Sequence, residues 1–312
     1  MPLDSATAAF IAQSQRSGAK HIHEMTLEES RSLGPLMRKI MGEGPEVASV
    51  AADQVTYSGG TFDIRVIVPK ATPKGVIVYY HGGGWVIGHV DDFEPLGRKL
   101  AHRCECTVVM VNYRLAPEFR FPTAVDDAYA ALEWAQRNVE RLAGRQVPMI
   151  VAGDSAGANL AAVVSRRARD RHGPFIALQV LVYPVTDADM SMPSYFHPDN
   201  QQMLTRESMV YFWDHYVPHL PDRRRPDASP LREPNLAGLP PAVLFTAEYD
   251  PLRDEGEAYA VRLLEAGVSV QFCRFLGQIH GFLAMVNVLP ASDRAIDQIA
   301  RAIDAQLALL AS

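Results

Sequence analysis

The sequence predicts an α/β fold with a mostly parallel central sheet and helices on both faces. Three observations carry this reading. Short apolar runs alternate with amphipathic stretches of helical length from residue 75 onward, the pattern that builds strand–helix–strand units. The runs are nearly unbroken, as in Gly75-Val76-Ile77-Val78-Tyr79-Tyr80; a strand covered on both faces has no polar side to alternate with. Finally, the run from 147 to 152 passes through Gly153-Asp154-Ser155-Ala156-Gly157 into an Ala-rich stretch at 158–165. That is a strand, a sharp turn and a helix.

The elements follow in order. Residues 6–12 and 33–41 carry apolar residues at helical spacing, and Thr26-Leu27-Glu28-Glu29 reads as a capping box. Gly42-Glu43-Gly44-Pro45 ends this segment. His21 and His23 have no evident partner and are expected on a solvated surface. Strands are expected over 53–58, 62–68 and 75–80, with Gly59-Gly60 and residues 69–74 as turns. A helix over 93–104, a strand over 107–112, a loop at Tyr113-Arg114-Leu115-Ala116-Pro117-Glu118 and a helix over 122–138 lead to the strand at 147–152. A buried strand over 176–183 follows the helix that Ser155 opens.

The alternation then breaks. No strand is expected from 184 to 229, where Met190, Met192, Met203 and Met209 gather with Tyr211-Phe212-Trp213 and Tyr216. Such side chains are read first as packing, and near a site they also suit an apolar acyl pocket. Arg223-Arg224-Arg225 is read as a solvated turn. Alternation resumes with a strand at 242–247, a helix at 252–266, a last strand at 268–275, a loop at 277–282 and a closing helix at 290–310.

Composition bounds the functions. The chain has 312 residues, 48% of them hydrophobic, enough for one large core or a core with an accessory domain. A net charge of −6 offers nothing to nucleic acid or an anionic membrane. No apolar run has membrane-spanning length, so no stable membrane insertion is expected. Met1-Pro2-Leu3-Asp4-Ser5 lacks the basic and then apolar layout of a signal peptide, which sets the expectation at the cytoplasm. The three cysteines fit a reducing compartment, and Cys104 and Cys106 read as packing rather than metal ligands.

The chemistry centres on Ser155. Small neighbours let the chain turn sharply there, and the helix N-terminus beside it favours developing negative charge. A serine still needs a base and donors for the oxyanion its attack creates. His81-Gly82-Gly83-Gly84-Trp85 follows a buried strand, so its backbone can wrap a ligand closely with its N–H groups unobstructed. The loop lacks the spacing of a dinucleotide or phosphate loop. His81 is read as a prop of this loop, not as the base, because His280 comes after the last strand and Asp250 after the strand before it. Ser, Asp, His in that chain order is one of the serine-hydrolase arrangements.

On these stretches, together with Tyr113-Arg114-Leu115-Ala116-Pro117-Glu118, Asp250-Pro251-Leu252-Arg253-Asp254-Glu255 and His280-Gly281-Phe282, the chain resembles the hormone-sensitive lipase family of carboxylesterases, bacterial family IV, with the α/β-hydrolase fold. The resemblance implies Ser155 as nucleophile, Asp250 as acid and His280 as base. It implies the N–H groups of Gly83, Gly84 and Ala156 as the oxyanion hole, with His81 and Gly82 supporting the loop. It implies a helical cap from residues 1–45 and 186–226, around core segments 46–185 and 227–312. It implies no metal and no cofactor. Leu276 departs from the family, which often has proline there; only a local loop difference is expected.

The implied activity is hydrolysis of short- to medium-chain acyl esters, with a small-molecule ester as the partner. The same machinery could serve an amidase, a deacetylase of small amides or a lactonase, since selectivity lies in pocket shape. A receptor-like role, as in the gibberellin receptor that resembles this family, is disfavoured because His280 is present. The natural substrate and the oligomeric state, a homodimer included, stay open.

Overall fold

The computed structural model describes residues 2–311. The chain opens with α1 (Ser5–Arg16), α2 (Leu27–Arg31) and α3 (Leu33–Met41). The expected capping box is formed: Glu29 N–H donates to Thr26 Oγ1 at 3.1 Å and Thr26 N–H to Glu29 Oε2 at 2.7 Å. Gly42 stops α3 at φ +67°.

The hairpin β1 (Ser49–Tyr57) and β2 (Gly60–Val68) precedes β3 (Val76–Tyr80), α4 (Glu94–Cys104), β4 (Thr107–Val111), α5 (Thr123–Arg137) and α6 (Val139–Ala143). Next come β5 (Met149–Asp154), α7 (Ala156–Asp170) and β6 (Ile176–Val182). Among the described residues the stretch from 184 to 229 holds no strand, only short 3-10 turns and α8 (Arg206–Tyr216). The chain closes with β7 (Ala242–Tyr249), α9 (Arg253–Glu265), β8 (Val270–Ile279) and α10 (Pro290–Ala311).

The strands form one sheet in the order β1-β2-β4-β3-β5-β6-β7-β8. The pairs β1–β2 and β2–β4 are antiparallel, and the pairs from β4 across to β8 are parallel. Along β3, Val76, Val78 and Tyr80 enter one buried cluster and Ile77 and Tyr79 the opposite one. That is why the run is apolar throughout: each face has its own layer of helices. Helices α5, α7 and α9 supply the first cluster, and α4 and α10 the second. No described helix is long and apolar enough to cross a membrane. Cys104 and Cys106 are free thiols in the second cluster, where burial pushes both pKa values up, Cys106 to about 12.

Three local expectations are corrected. The last strand does not stop at 275 but runs to Ile279, because Gly277 N–H donates to Glu248 Oε2 at 2.7 Å and its C=O accepts from Asp4 N–H at 3.1 Å. His23 is not a free surface residue: its Nδ1 lies 3.2 Å from Ser208 Oγ on α8, and its ring stacks on His21. Arg223 is buried, with Nε donating to Val217 O at 2.8 Å and a terminal N–H to Asp214 Oδ1. A guanidinium that caps a chain reversal from within is not a solvated turn.

The excursion between β6 and β7 is tied at its base. Asn159 Nδ2 on α7 donates to Val185 O at 3.0 Å and to Ala228 O at 2.9 Å, one on the way out and one on the way back. Glu255, in the first turn of α9, accepts from Thr186 N–H and Asp187 N–H on Oε1 and meets Tyr195 Oη at 2.7 Å on Oε2. Burial pushes the Glu255 carboxyl up to about 8, against the pull of the bonds from Thr186 and Tyr195. A carboxyl raised this way favours the fold while protonated, and that contribution is lost as pH climbs from about 4.5 through about 8. Glu255→Gln, which cannot ionise, is therefore predicted to gain stability relative to the native protein as pH is raised from 5 to 8. Urea unfolding midpoints at each pH test this, and a difference independent of pH would refute it.

Candidate active site

The site forms where β3, β5, β7 and β8 end on one edge of the sheet. β3 and β5 run side by side in register, with Tyr80 opposite Gly153. The chain leaves β5 through Ser155 at φ +56°, ψ −119°, dihedrals that a β-carbon makes costly. The turn is held by Ser155 N–H donating to Val182 O at 2.9 Å. Glycine is required on both sides. A Cβ on Gly153 would come within 2.4 Å of the Gly157 backbone, and one on Gly157 within 1.9 Å of Tyr80 O and 2.6 Å of His81 O. The start of α7 thus lies directly against the residues that lead into the glycine loop.

Ser155, His280 and Asp250 are brought together. Ser155 Oγ lies 2.9 Å from His280 Nε2, and His280 Nδ1 lies 2.8 Å from Asp250 Oδ2. A carboxylate only accepts, so Nδ1 carries the imidazole proton and Nε2 is left to accept from the serine hydroxyl. Asp250 is fully buried, and its other oxygen accepts from Leu252 N–H at 2.8 Å, which fixes the carboxylate plane. The Tyr183 ring packs 4.7 Å from the His280 ring.

The glycine loop stands opposite. Gly83 has φ +115° and Gly84 φ +59°, both open to glycine alone here: a Cβ on Gly83 would meet Ile87 O at 2.2 Å, and one on Gly84 the Phe212 ring at 2.2 Å. Among the described residues the N–H groups of Gly83 and Gly84 have no protein acceptor. That of Ala156 opens α7 without one.

His81 sits beneath the loop, buried between the rings of Tyr113 at 4.4 Å and Phe93 at 5.1 Å. Its Nδ1 donates to Gly82 O at 2.7 Å. Burial pushes its pKa down to about 4, so the ring is neutral at ordinary pH. Its hydrogen bond goes to the glycine loop at Gly82 O, while Ser155 Oγ meets His280.

Several residues here were not assigned roles by sequence reasoning. Asp154 accepts from Gly82 N–H at 2.9 Å and from Tyr79 Oη at 2.7 Å; burial pushes its carboxyl up, and those bonds oppose the shift. An acidic residue at the end of an apolar strand was the available signal. Arg31, on α2, donates to Val86 O and Ala116 O at 3.0 Å and grips Glu118 with both terminal nitrogens. Nothing local to Arg31 announces a partner some 55 to 87 residues away.

A mostly parallel sheet with serine on the elbow after one strand, and acid and base past the last two, is the α/β-hydrolase arrangement. Residues 77–284 match the family described as alpha/beta hydrolase fold. Carboxylesterase NlhH of Mycobacterium tuberculosis is 41% identical over 247 residues, 77% of each chain. An ethyl acetate hydrolase of Pseudomonas putida is 32% identical over 98% of this chain and 100% of its own. The hyperthermophilic esterase from the archaeon Pyrobaculum calidifontis superposes with a TM-score of 0.90 at 37% identity, covering 98% of this chain and 99% of that one. The chain belongs to the hormone-sensitive lipase type of carboxylesterases within the α/β-hydrolase superfamily.

The contact at Gly157 yields a prediction. Gly157→Ala would force α7 off the end of β3, because the atom it meets is backbone and cannot swing aside. Esterase activity is expected to fall at least about a hundredfold, since misplacing reacting groups by about 1 Å can cost that much. A folded Gly157→Ala protein with near-native kcat would contradict the packing described.

Proposed function

We propose that this protein is a serine carboxylesterase that hydrolyses short- to medium-chain acyl esters through Ser155, His280 and Asp250 and an acyl-enzyme intermediate. The observation that carries the reading is the continuous line Ser155 Oγ, His280, Asp250, at 2.9 and 2.8 Å.

In the first step Ser155 Oγ attacks the ester carbonyl carbon as His280 Nε2 takes its proton. The carbonyl oxygen becomes an oxyanion, met by the N–H groups of Gly83, Gly84 and Ala156. Asp250 accepts from Nδ1–H throughout and stabilises the imidazolium. His280 then protonates the departing alkoxide, and alcohol leaves. Water repeats the cycle on the acyl-enzyme, giving the acid and restoring Ser155. Preorganised donors act where charge develops, so they favour the transition state over bound substrate.

Residues 1–45 and 186–226 act as a cap over this site. On α8, Ser208, Met209, Phe212, Trp213 and Tyr216 form the buried stripe, at helical spacing. Phe212 lies on Gly84, and Trp85 stacks on Tyr216 at 4.3 Å beside Trp213 at 4.9 Å. An aromatic floor this close to the glycine loop supports an acyl pocket of limited depth. The similarity to an ethyl acetate hydrolase supports the short end of the range.

Ser155→Ala is predicted to lose about 10⁴-fold or more in kcat while staying folded, since triad members act as a unit. A fluorophosphonate should label Ser155 in the native chain and label it slowly in His280→Ala. Activity surviving in Ser155→Ala, or labelling at another serine, would remove the assignment.

Along monomeric p-nitrophenyl esters, kcat/KM is predicted to rise up to about fourfold per carbon, from about 0.8 kcal/mol per buried methylene. It should then fall once added carbons strain packed side chains at about 1–3 kcal/mol. A steady rise through long chains with activation at an oil–water interface would mean a lipase with a mobile lid.

A further inference from the structure

Asp154 is the last residue of β5 and the chain neighbour of Ser155, yet it takes no part in the proton transfers proposed. The residue is only 3% exposed. It is laid directly under the glycine loop: a Cβ on Gly82 would come within 2.5 Å of its Oδ2, and its Oδ1 accepts from Gly82 N–H at 2.9 Å. Tyr79 Oη donates to the same Oδ1 at 2.7 Å and fixes the carboxyl from the strand next to it. On the far side of Gly82, the C=O accepts from His81 Nδ1 at 2.7 Å.

Gly82 is therefore held at both ends. Its C=O and the N–H of Gly83 belong to one planar trans unit and point in opposite directions. Holding Gly82 by its N–H and its C=O fixes where the Gly83 N–H is aimed. The loop's own glycines cannot do this, because their backbone has more conformations open to it than any other residue's.

We infer that Asp154 is a positioning residue that locks the glycine loop to the strand end carrying Ser155, so that the nucleophile and the oxyanion donors are held as one body. The inference rests on the reading of Gly83, Gly84 and Ala156 as oxyanion donors. The role needs an acceptor oxygen at Oδ1, not a charge. An asparagine supplies that oxygen; a valine of similar shape does not.

The test compares Asp154→Val with Asp154→Asn, each checked for folding by thermal melting, on kcat, KM and affinity for a trifluoromethyl ketone. Ser155 Oγ adds to the ketone carbon, its proton passes to His280, and the ketone oxygen becomes an oxyanion in the hole. Asp154→Val is expected to lose about 10²–10³ in kcat, the scale of one misplaced oxyanion donor, with KM little changed. Its affinity for the ketone should fall in parallel. Asp154→Asn should restore both to within a few-fold of native. If the valine variant does not fold, Asp154→Ser, too short to reach Gly82, takes its place with the same expected losses.

Native kcat and ketone affinity in the folded valine or serine variant would overturn the inference. So would an asparagine variant as impaired as valine, because charge would then be what matters. If the native enzyme binds the trifluoromethyl ketone no more tightly than the matching methyl ketone, it is the oxyanion reading that has failed, and the inference falls with it by that separate route.

Discussion

The site depends on one close approach, that of Gly157 to the carbonyl of Tyr80. A methyl group there would sit 1.9 Å from the oxygen, and one on Gly153 would meet the Gly157 backbone at 2.4 Å. With neither present, α7 can start directly over the end of β3. That brings the helix N-terminus, with its unbonded N–H groups, beside the loop that leaves β3. The strained dihedrals of Ser155 are the local cost of so sharp a turn, and the packed sheet on either side holds them in place.

Around that contact the supporting bonds come from far along the chain. His81 and Asp154 grip Gly82 from two sides, and Arg31 holds the loop's far end through Val86 O. His23 reaches α8, whose Phe212 rests on Gly84. The N-terminal helices and the excursion after β6 are therefore in contact with each other and with the glycine loop. Each of these bonds is worth only about 1 kcal/mol net, but a buried polar group left without a partner costs more, so the set is retained together.

The sheet was legible because its central strands are buried on both faces, which leaves an unbroken apolar run that few other structures need. The order of Ser155, Asp250 and His280 was legible because each follows a strand-like run, buried throughout in β5, over most of its length in β7 and only in part in β8. The end of β8 was not, since what extends it past Gly277 is Glu248 on the neighbouring strand and Asp4 at the other end of the chain. His23 and Arg223 were misread for the same reason. A polar side chain in a stretch without strands looks solvated until its distant partner is known, Ser208 in one case and Val217 with Asp214 in the other. Asp154 stood inside the quoted motif, yet its role is with Gly82, 72 residues upstream.

Asn159 has a consequence for how such a chain can diversify. One amide holds Val185 and Ala228 together, so the path between them begins and ends at the same two points whatever it does in between. Changes along that path that spare its contacts with His23, Gly84 and Glu255 leave the elbow and the strand ends in place. The sheet with its elbow and the excursion between those two points are then separately heritable parts. A graft from a relative, cut at those two carbonyls, is the natural unit of exchange.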